Sequence, residues 1–193
     1  MPNVKKLLSD IHESYDSFVN GLSIITTDHK YIHEGKKFNY CKRVSIGAGA
    51  DYFFTFKTPT EADGKQVHWR PPIVSDSADK LSIDLYKNST VNSAGTEAKT
   101  SINNYNETSS NESLMQSFQF DVDISDNGTM VYLDYIGGGS GAGGSTRSGG
   151  ATSEKEERPL DFDTNYTVVV NNGSSGTNIV NFIFNWYEEV PIT

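Results

Sequence analysis

Residues 178–188 read NIVNFIFNWYE and alternate two sets of side chains along their length. Ile179, Asn181, Ile183 and Asn185 fall on one phase, and Val180, Phe182, Phe184 and Trp186 on the other. A period of two sends successive side chains to opposite faces of an extended chain, so one face here is aromatic and the other mixed. That is the signature of an antiparallel strand with one buried and one wetter side. Leu81, Ile83 and Leu85 alternate in the same way with Ser82, Asp84 and Tyr86, as do Phe118, Phe120 and Val122 with Gln119, Asp121 and Asp123. Strands are expected over 38–46, 51–57, 66–70, 80–87, 117–124, 129–136, 165–171 and 178–188. No helical pattern of ten or more residues separates them, so parallel βαβ units are unsupported. The expected fold is all-β, an antiparallel two-sheet sandwich of jelly-roll-like type.

A different period governs the first residues. Val4, Leu8, Ile11, Tyr15, Phe18 and Leu22 follow spacings of four and three, with Leu7 and Val19 widening the stripe. This predicts an N-terminal α-helical arm within residues 1–30, capped by Asn3 and stopped at Asn20-Gly21. An isolated helix of this length is marginal in water and needs a partner surface. Its apolar face, flanked by Lys5 and Lys6, suits packing on the body or a neighbouring subunit, docking on another protein, or a short coiled coil at an oligomer axis. The body, residues 31–193, is expected to carry two long insertions. Residues 88–116 are rich in Asn, Ser and Thr and read as a polar surface excursion, and residues 137–150 hold eight of the seventeen glycines.

The net charge of −9 is unevenly spread. Residues 1–43 hold seven Lys/Arg against five Asp/Glu, and residues 44–193 hold nine against twenty. A body this acidic repels nucleic acid, which is bound through clustered cations. No apolar run approaches the length of a membrane span, and the N-terminus lacks the pattern of a secretory signal. Cys41, the single cysteine, excludes an intrachain disulfide and suits synthesis in a reducing compartment.

Constellations for chemistry are weak. The glycine run has neither the Gly-Lys-Ser/Thr ending nor the following helix of a phosphate loop, which leaves Gly137, Gly138, Gly139 and Arg147 as candidate partner contacts. His29 and His33, in the extended chain expected there, lie roughly 13 Å apart, too far for one metal ion. Asp121, Asp123, Asp126 and Asn127 loosely resemble a calcium loop but lack its closing glutamate, since position 132 is Tyr132. Strand alternation accounts for Asp121 and Asp123 as solvent-facing, and Asp126-Asn127-Gly128 reads as a hairpin turn. Cys41, inside a strand, reads as a buried inert thiol. Asp161 and Asp163 read as a solvated strand face. The aromatic residues, Trp69 among them, read as core, with a sugar-binding platform of Trp69 or exposed tyrosines beside the acidic turn as the alternative. No catalytic group, cofactor or resident metal is expected.

Several stretches occur together in a definite order: Ile32-His-Glu-Gly-Lys36, Lys80-Leu-Ser-Ile-Asp-Leu-Tyr-Lys-Asn88 and Ile102-Asn-Asn-Tyr-Asn106. The glycine run from Gly137, Pro159-Leu-Asp-Phe-Asp-Thr-Asn-Tyr166 and Phe184-Asn-Trp-Tyr-Glu-Glu189 complete the series. In combination the chain resembles a family of small virion structural proteins of tailed bacteriophages, associated with the capsid as decoration, head-stabilisation or head-fibre proteins. The resemblance implies a β-sandwich, often a homotrimer, made in the host cytoplasm and bound to the major capsid protein on the outer capsid surface. It implies no enzymatic activity, nucleic acid or membrane. Attachment to the capsid is the role then expected of the arm face, Val4, Lys5, Lys6, Leu8, Ile11, Tyr15, Phe18 and Leu22.

Overall fold

A computed structural model describes residues 27–70, 73–75, 80–136, 147–149 and 157–191. The arm stripe from Val4 to Leu22 and Gly137, Gly138 and Gly139 lie outside these residues. The chain divides by its contacts into two units, Met1–Lys30 and Tyr31–Thr193. The described part enters through helix α1 (Thr27–His33) and forms fifteen strands. These are β1 (Lys37–Ile46), β2 (Asp51–Lys57), β3 (Gln66–Arg70), β4 (Ile73–Ser75), β5 (Leu81–Lys87), β6 (Thr90–Ser93), β7 (Thr96–Glu97) and β8 (Asn103–Asn104). They continue with β9 (Ser117–Phe120), β10 (Asp123–Asp126), β11 (Thr129–Ile136), β12 (Arg147–Gly149), β13 (Arg158–Pro159), β14 (Asn165–Asn172) and β15 (Asn178–Glu189).

The first sheet is built on β15. Its residues 178–187 pair with the whole of β1, from Lys37 opposite Tyr187 to Ile46 opposite Asn178. Its other edge is shared, with β4 against Val180–Phe182 and β3 against Asn185–Glu189. Strands β13, β12 and β8 extend this sheet from β3, β4 and β1. The second sheet runs β11-β5-β14-β2-β9-β7. All these pairings are antiparallel, and they nest: β1 with β15, β2 with β14, β3 with β13, β5 with β11.

The inward phase of each strand fills the space between the sheets. Phe54 of β2 stacks on Phe184 with ring centroids 4.4 Å apart, Phe118 of β9 on Trp186 at 5.7 Å, and Tyr52 meets Phe182 at 5.3 Å. Trp69 and Trp186 are directly opposite on β3 and β15, each 1% exposed. Such ring pairs add about 0.5–1.5 kcal/mol each beyond the burial of their area. The result is an all-β, sandwich-like architecture whose core is rich in aromatic rings.

Four expectations need correction. The strand expected over 117–124 is broken, because β9 loses its partner β2 after Phe120 and the chain turns at Asp121, with φ +57°. Asp126-Asn127-Gly128 is not a hairpin turn: β10 pairs with β6 while β11 pairs with β5. One antiparallel ribbon therefore runs from β5/β11 into β6/β10, kinked at Asn88 (φ +60°) on one strand and Gly128 (φ +79°) on the other. Ser89 Oγ donates across the kink to the Asn127 carbonyl at 2.6 Å. Cys41 is exposed, since Phe38 and Tyr40 hold the inward phase of β1. Thr27–His33 is helical, so His29 and His33 are one turn apart rather than on an extended chain.

The excursion 88–116 is also less open than its composition suggests. It contributes β6, β7 and β8 and buries Ala98, Ser113 and Met115. Asp161 and Asp163 lie in the turn before β14 rather than on a strand, paired with Lys87 at 3.1 Å and Lys57 at 2.7 Å.

A Cβ on Gly128 would fall 2.4 Å from the Lys87 carbonyl oxygen, in a left-handed backbone that L side chains avoid. Gly128→Ala is expected to lower unfolding stability by about 1–3 kcal/mol, read as a reduced urea midpoint at unchanged slope.

Candidate functional site

The richest concentration of polar groups lies where β15 ends. Counting along its inward phase, Val180, Phe182, Phe184 and Trp186 are followed by Glu188, a carboxylate delivered into the core at 1% exposure. Buried charge is tolerated only when its lone pairs are filled. Ser113 Oγ donates to Glu188 Oε1 at 2.6 Å, Trp186 Nε1 donates to it at 3.1 Å, and the Leu114 amide donates to Oε2 at 2.9 Å. These bonds tie the far end of the 88–116 excursion to the central strand. Burial pushes the Glu188 carboxyl above the usual range, and the three donors oppose that shift without cancelling it.

The outward phase at the same end carries a stack. Tyr187 lies between Tyr31, at 4.1 Å, and His68 of β3, at 4.5 Å, both near parallel. Tyr31 donates its hydroxyl to Glu189, and Tyr187 donates to Glu157. Glu157 further engages His68 Nδ1 at 2.8 Å and accepts from Arg70 Nη2 at 2.6 Å. Burial works against ionisation of Glu157, but the bonds from Tyr187, Arg70 and His68 together outweigh it and hold its carboxyl below the usual range. Burial, then Glu189, pushes Tyr31 up to about 12, and burial with Glu157 pushes Tyr187 up as well. An anion saturated by three donors and two phenols held neutral form a fixing network; they are poorly disposed to pass protons.

Beside it, asparagine amides cap the loop that leaves α1. Asn104 and Asn111 donate through Nδ2 to the Gly35 carbonyl at 2.9 and 3.2 Å, and Asn106 donates to that of His33 at 3.2 Å. Gly35 has φ +63°, and a Cβ there would lie 2.2 Å from Ser109 Oγ. The stretches Ile32–Lys36, Ile102–Asn106 and Phe184–Glu189, far apart in sequence, are thus brought to one end of the first sheet. The stretches Lys80–Asn88 and Pro159–Tyr166 meet elsewhere: Lys87 pairs with Asp161, and the Asn88 amide donates to the Asn165 carbonyl at 2.8 Å.

The residues singled out for chemistry disperse. Asp121 pairs with Lys42 at 3.5 Å, Asp123 accepts from Asn92 Nδ2 at 2.6 Å, and Asp126 accepts from the Gly128 amide at 2.9 Å. Among the described residues no three His, Cys, Asp or Glu side chains come together as a metal site would require. Arg147 lies in β12, opposite Ser75. Trp69 is sealed in the core, so it offers no face to a sugar. A cleft of about 530 Å³ opens between β11 and β13, with Lys87 paired to Asp161 on one wall and Arg158 over the Tyr132 ring, 5.0 Å from its centroid, on the other. Arg158 also donates to the Val131 carbonyl at 3.0 Å, joining the two sheets across their open side.

Glu157 and Glu188 shift in opposite directions, so their contributions to stability run oppositely with pH. Glu157 stabilises above the ordinary carboxylate value of 4.5, and that contribution fades as pH falls through its lowered folded value. Glu188 binds its proton more tightly when folded, so its effect on stability declines as pH rises from 4.5 through its raised value. Glu157→Gln is expected to cost about 1–3 kcal/mol at neutral pH and to remove the first slope, and Glu188→Gln to remove the second. Urea midpoints measured from acid to neutral pH check both.

Compared with known proteins, the chain matches no family model, no curated protein and no solved structure.

Proposed function

We propose that this chain is a non-enzymatic structural protein of a tailed-bacteriophage virion, bound as a decoration, head-stabilisation or head-fibre-base protein to the outer surface of the capsid. The observation that carries the reading is the nested strand pairing. First pairs with last, second with the last but one, and so inward, giving sheet orders β1-β15-β3-β13 and β2-β14-β5-β11. Nesting of this kind supports a jelly roll, the fold type expected from the family that the sequence resembles. The saturated network around Glu157 and Glu188 supports the same reading, since its bonds fix strands and loops to one another.

In this reading residues 1–30 are a helical attachment arm, the body is one subunit of a homotrimer, and the partner is the major capsid protein. Binding works by avidity. Several weak contacts from one oligomer engage adjacent capsomers, and each added contact becomes effectively intramolecular. Because such binding selects the mature lattice, its free energy opposes capsid rupture. Arm residues Val4, Leu8, Ile11, Tyr15, Phe18 and Leu22 supply apolar contact, with Lys5 and Lys6 at the edge, and Gly137, Gly138 and Gly139 contribute from the glycine run and Arg147 from β12.

The test is co-sedimentation of the purified protein with empty phage heads. Stoichiometric binding is expected for the full chain, with loss on deletion of residues 1–25 while the body keeps its thermal transition. Heads that leave the full chain in the supernatant would sink the assignment, and a deletion that still binds would remove the arm from it.

A further inference from the structure

The polar end of the first sheet holds one feature that neither the core nor the clamps use. A shallow groove of about 870 Å³ runs along the outer side of β8 and the loop that follows it. Its wall is rigid: Asn104 and Asn106 spend their amides on the main chain around Gly35 and His33, and Asn104 Oδ1 accepts from the Asn106 amide at 2.9 Å. Tyr105 stands at its rim, 38% exposed. The ring is held in place by a hydroxyl bond to Asn185 Oδ1 at 2.5 Å, by its own amide bonded to the Lys37 carbonyl at 3.0 Å, and by the Lys37 ammonium 5.0 Å from its centroid.

The groove therefore presents the part of the Tyr105 ring that Lys37 leaves open, held so that it loses little entropy on meeting a ligand. Around it Asn39, Asn103, Glu107, Ser110 and Glu112 line the groove, and none of their side chains bonds to another described residue. Together they offer amide donors, amide and carboxylate acceptors and one hydroxyl. The charges at the groove are the Glu107 and Glu112 carboxylates against the one Lys37 ammonium beside the Tyr105 ring, a negative balance that disfavours an anionic ligand.

We propose that this groove binds a neutral saccharide, with the sugar ring against Tyr105 and its hydroxyls bonded to Asn39, Asn103, Glu107 and Glu112. The chemistry matches at each point. A pyranose has an apolar C–H face for an aromatic ring and several hydroxyls that both donate and accept, and carboxylates and amides take such hydroxyls in pairs. The groove is shallow, so single-site affinity is expected in the millimolar range, raised by multivalency in an oligomer. This inference stands apart from capsid attachment, which uses the arm: either can fail alone.

The experiment is saturation-transfer NMR on the full chain with methyl glycosides of glucose, galactose, rhamnose and N-acetylglucosamine, their short oligomers, and sialyllactose as the charged control. At least one neutral sugar is expected to receive saturation, with Tyr105→Ala weakening its binding tenfold or more. Tyr105→Phe, which keeps the ring and loses the Asn185 bond, should weaken it less. Asn103→Ala, at an exposed position, gives a second variant should Tyr105→Ala disturb the fold, as judged by its thermal transition, and is expected to weaken binding several-fold. No transfer to any neutral sugar, transfer to sialyllactose alone, or binding untouched by both alanine variants would overturn the proposal.

Discussion

The inward phase of β15 is the constraint on which the structure hangs. One twelve-residue strand supplies Phe182, Phe184 and Trp186 to the core, pairs along one edge with β1, and divides its other edge between β3 and β4. Phe54, Tyr52 and Phe118 of the second sheet all meet rings of this strand, at Phe184, Phe182 and Trp186. Glu188 extends the same phase by one step, and there the hydrophobic logic reverses. The position is buried by its place in the alternation, so the carboxylate must find donors, and it finds them in Ser113, Leu114 and Trp186. The polar excursion is ordered at its far end because the core strand ends in a charge.

Much of this was legible in the residues themselves. Where a strand has a buried and an open side, alternation located it closely: β2, β3 and β11 coincide with the expected ranges, and β1, β5, β14 and β15 differ by a residue at one end. The failures share one cause. The break at Asp121 and the kink at Asn88 and Gly128 are set by which strand lies alongside, and that partner is some thirty or more residues away in sequence. Asn127-Gly128 has the chemistry of a tight turn, yet the same freedom of φ serves a kinked ribbon equally well. Strands of two or three residues, such as β7, β8 and β13, have no period to read.

The polar network divides in the same way. Glu188 was marked by its phase, since it occupies the core-facing parity of a strand whose earlier members are aromatic. Glu157 was not, because within Glu154-Lys-Glu-Glu-Arg158 it looks like any solvated charge, and only the placement of β13 beside β3 brings it to His68 and Arg70. The amides of Asn104, Asn106 and Asn111 come from a stretch whose composition suggested solvent, whereas their side chains replace a secondary structure that the loop lacks. Trp69 shows the reverse case: a residue whose type suits ligand stacking is used for packing because β3 places it opposite Trp186.

The pairing of β1 with β15 also bears on how the chain acquires its fold. Lys37 and Tyr187 sit side by side though 150 positions separate them, and the nested pairs inside them are also distant in sequence. Loop closure of that length comes before any reward from contact, which places the domain among slow folders of high contact order. Until β15 has been made, β1, β3 and β4 lack the strand they share, and Tyr52 and Phe54 of β2 lack the rings of Phe182 and Phe184. A domain built in this way reaches its native state only once β15 has been made, and it is exposed to aggregation until then.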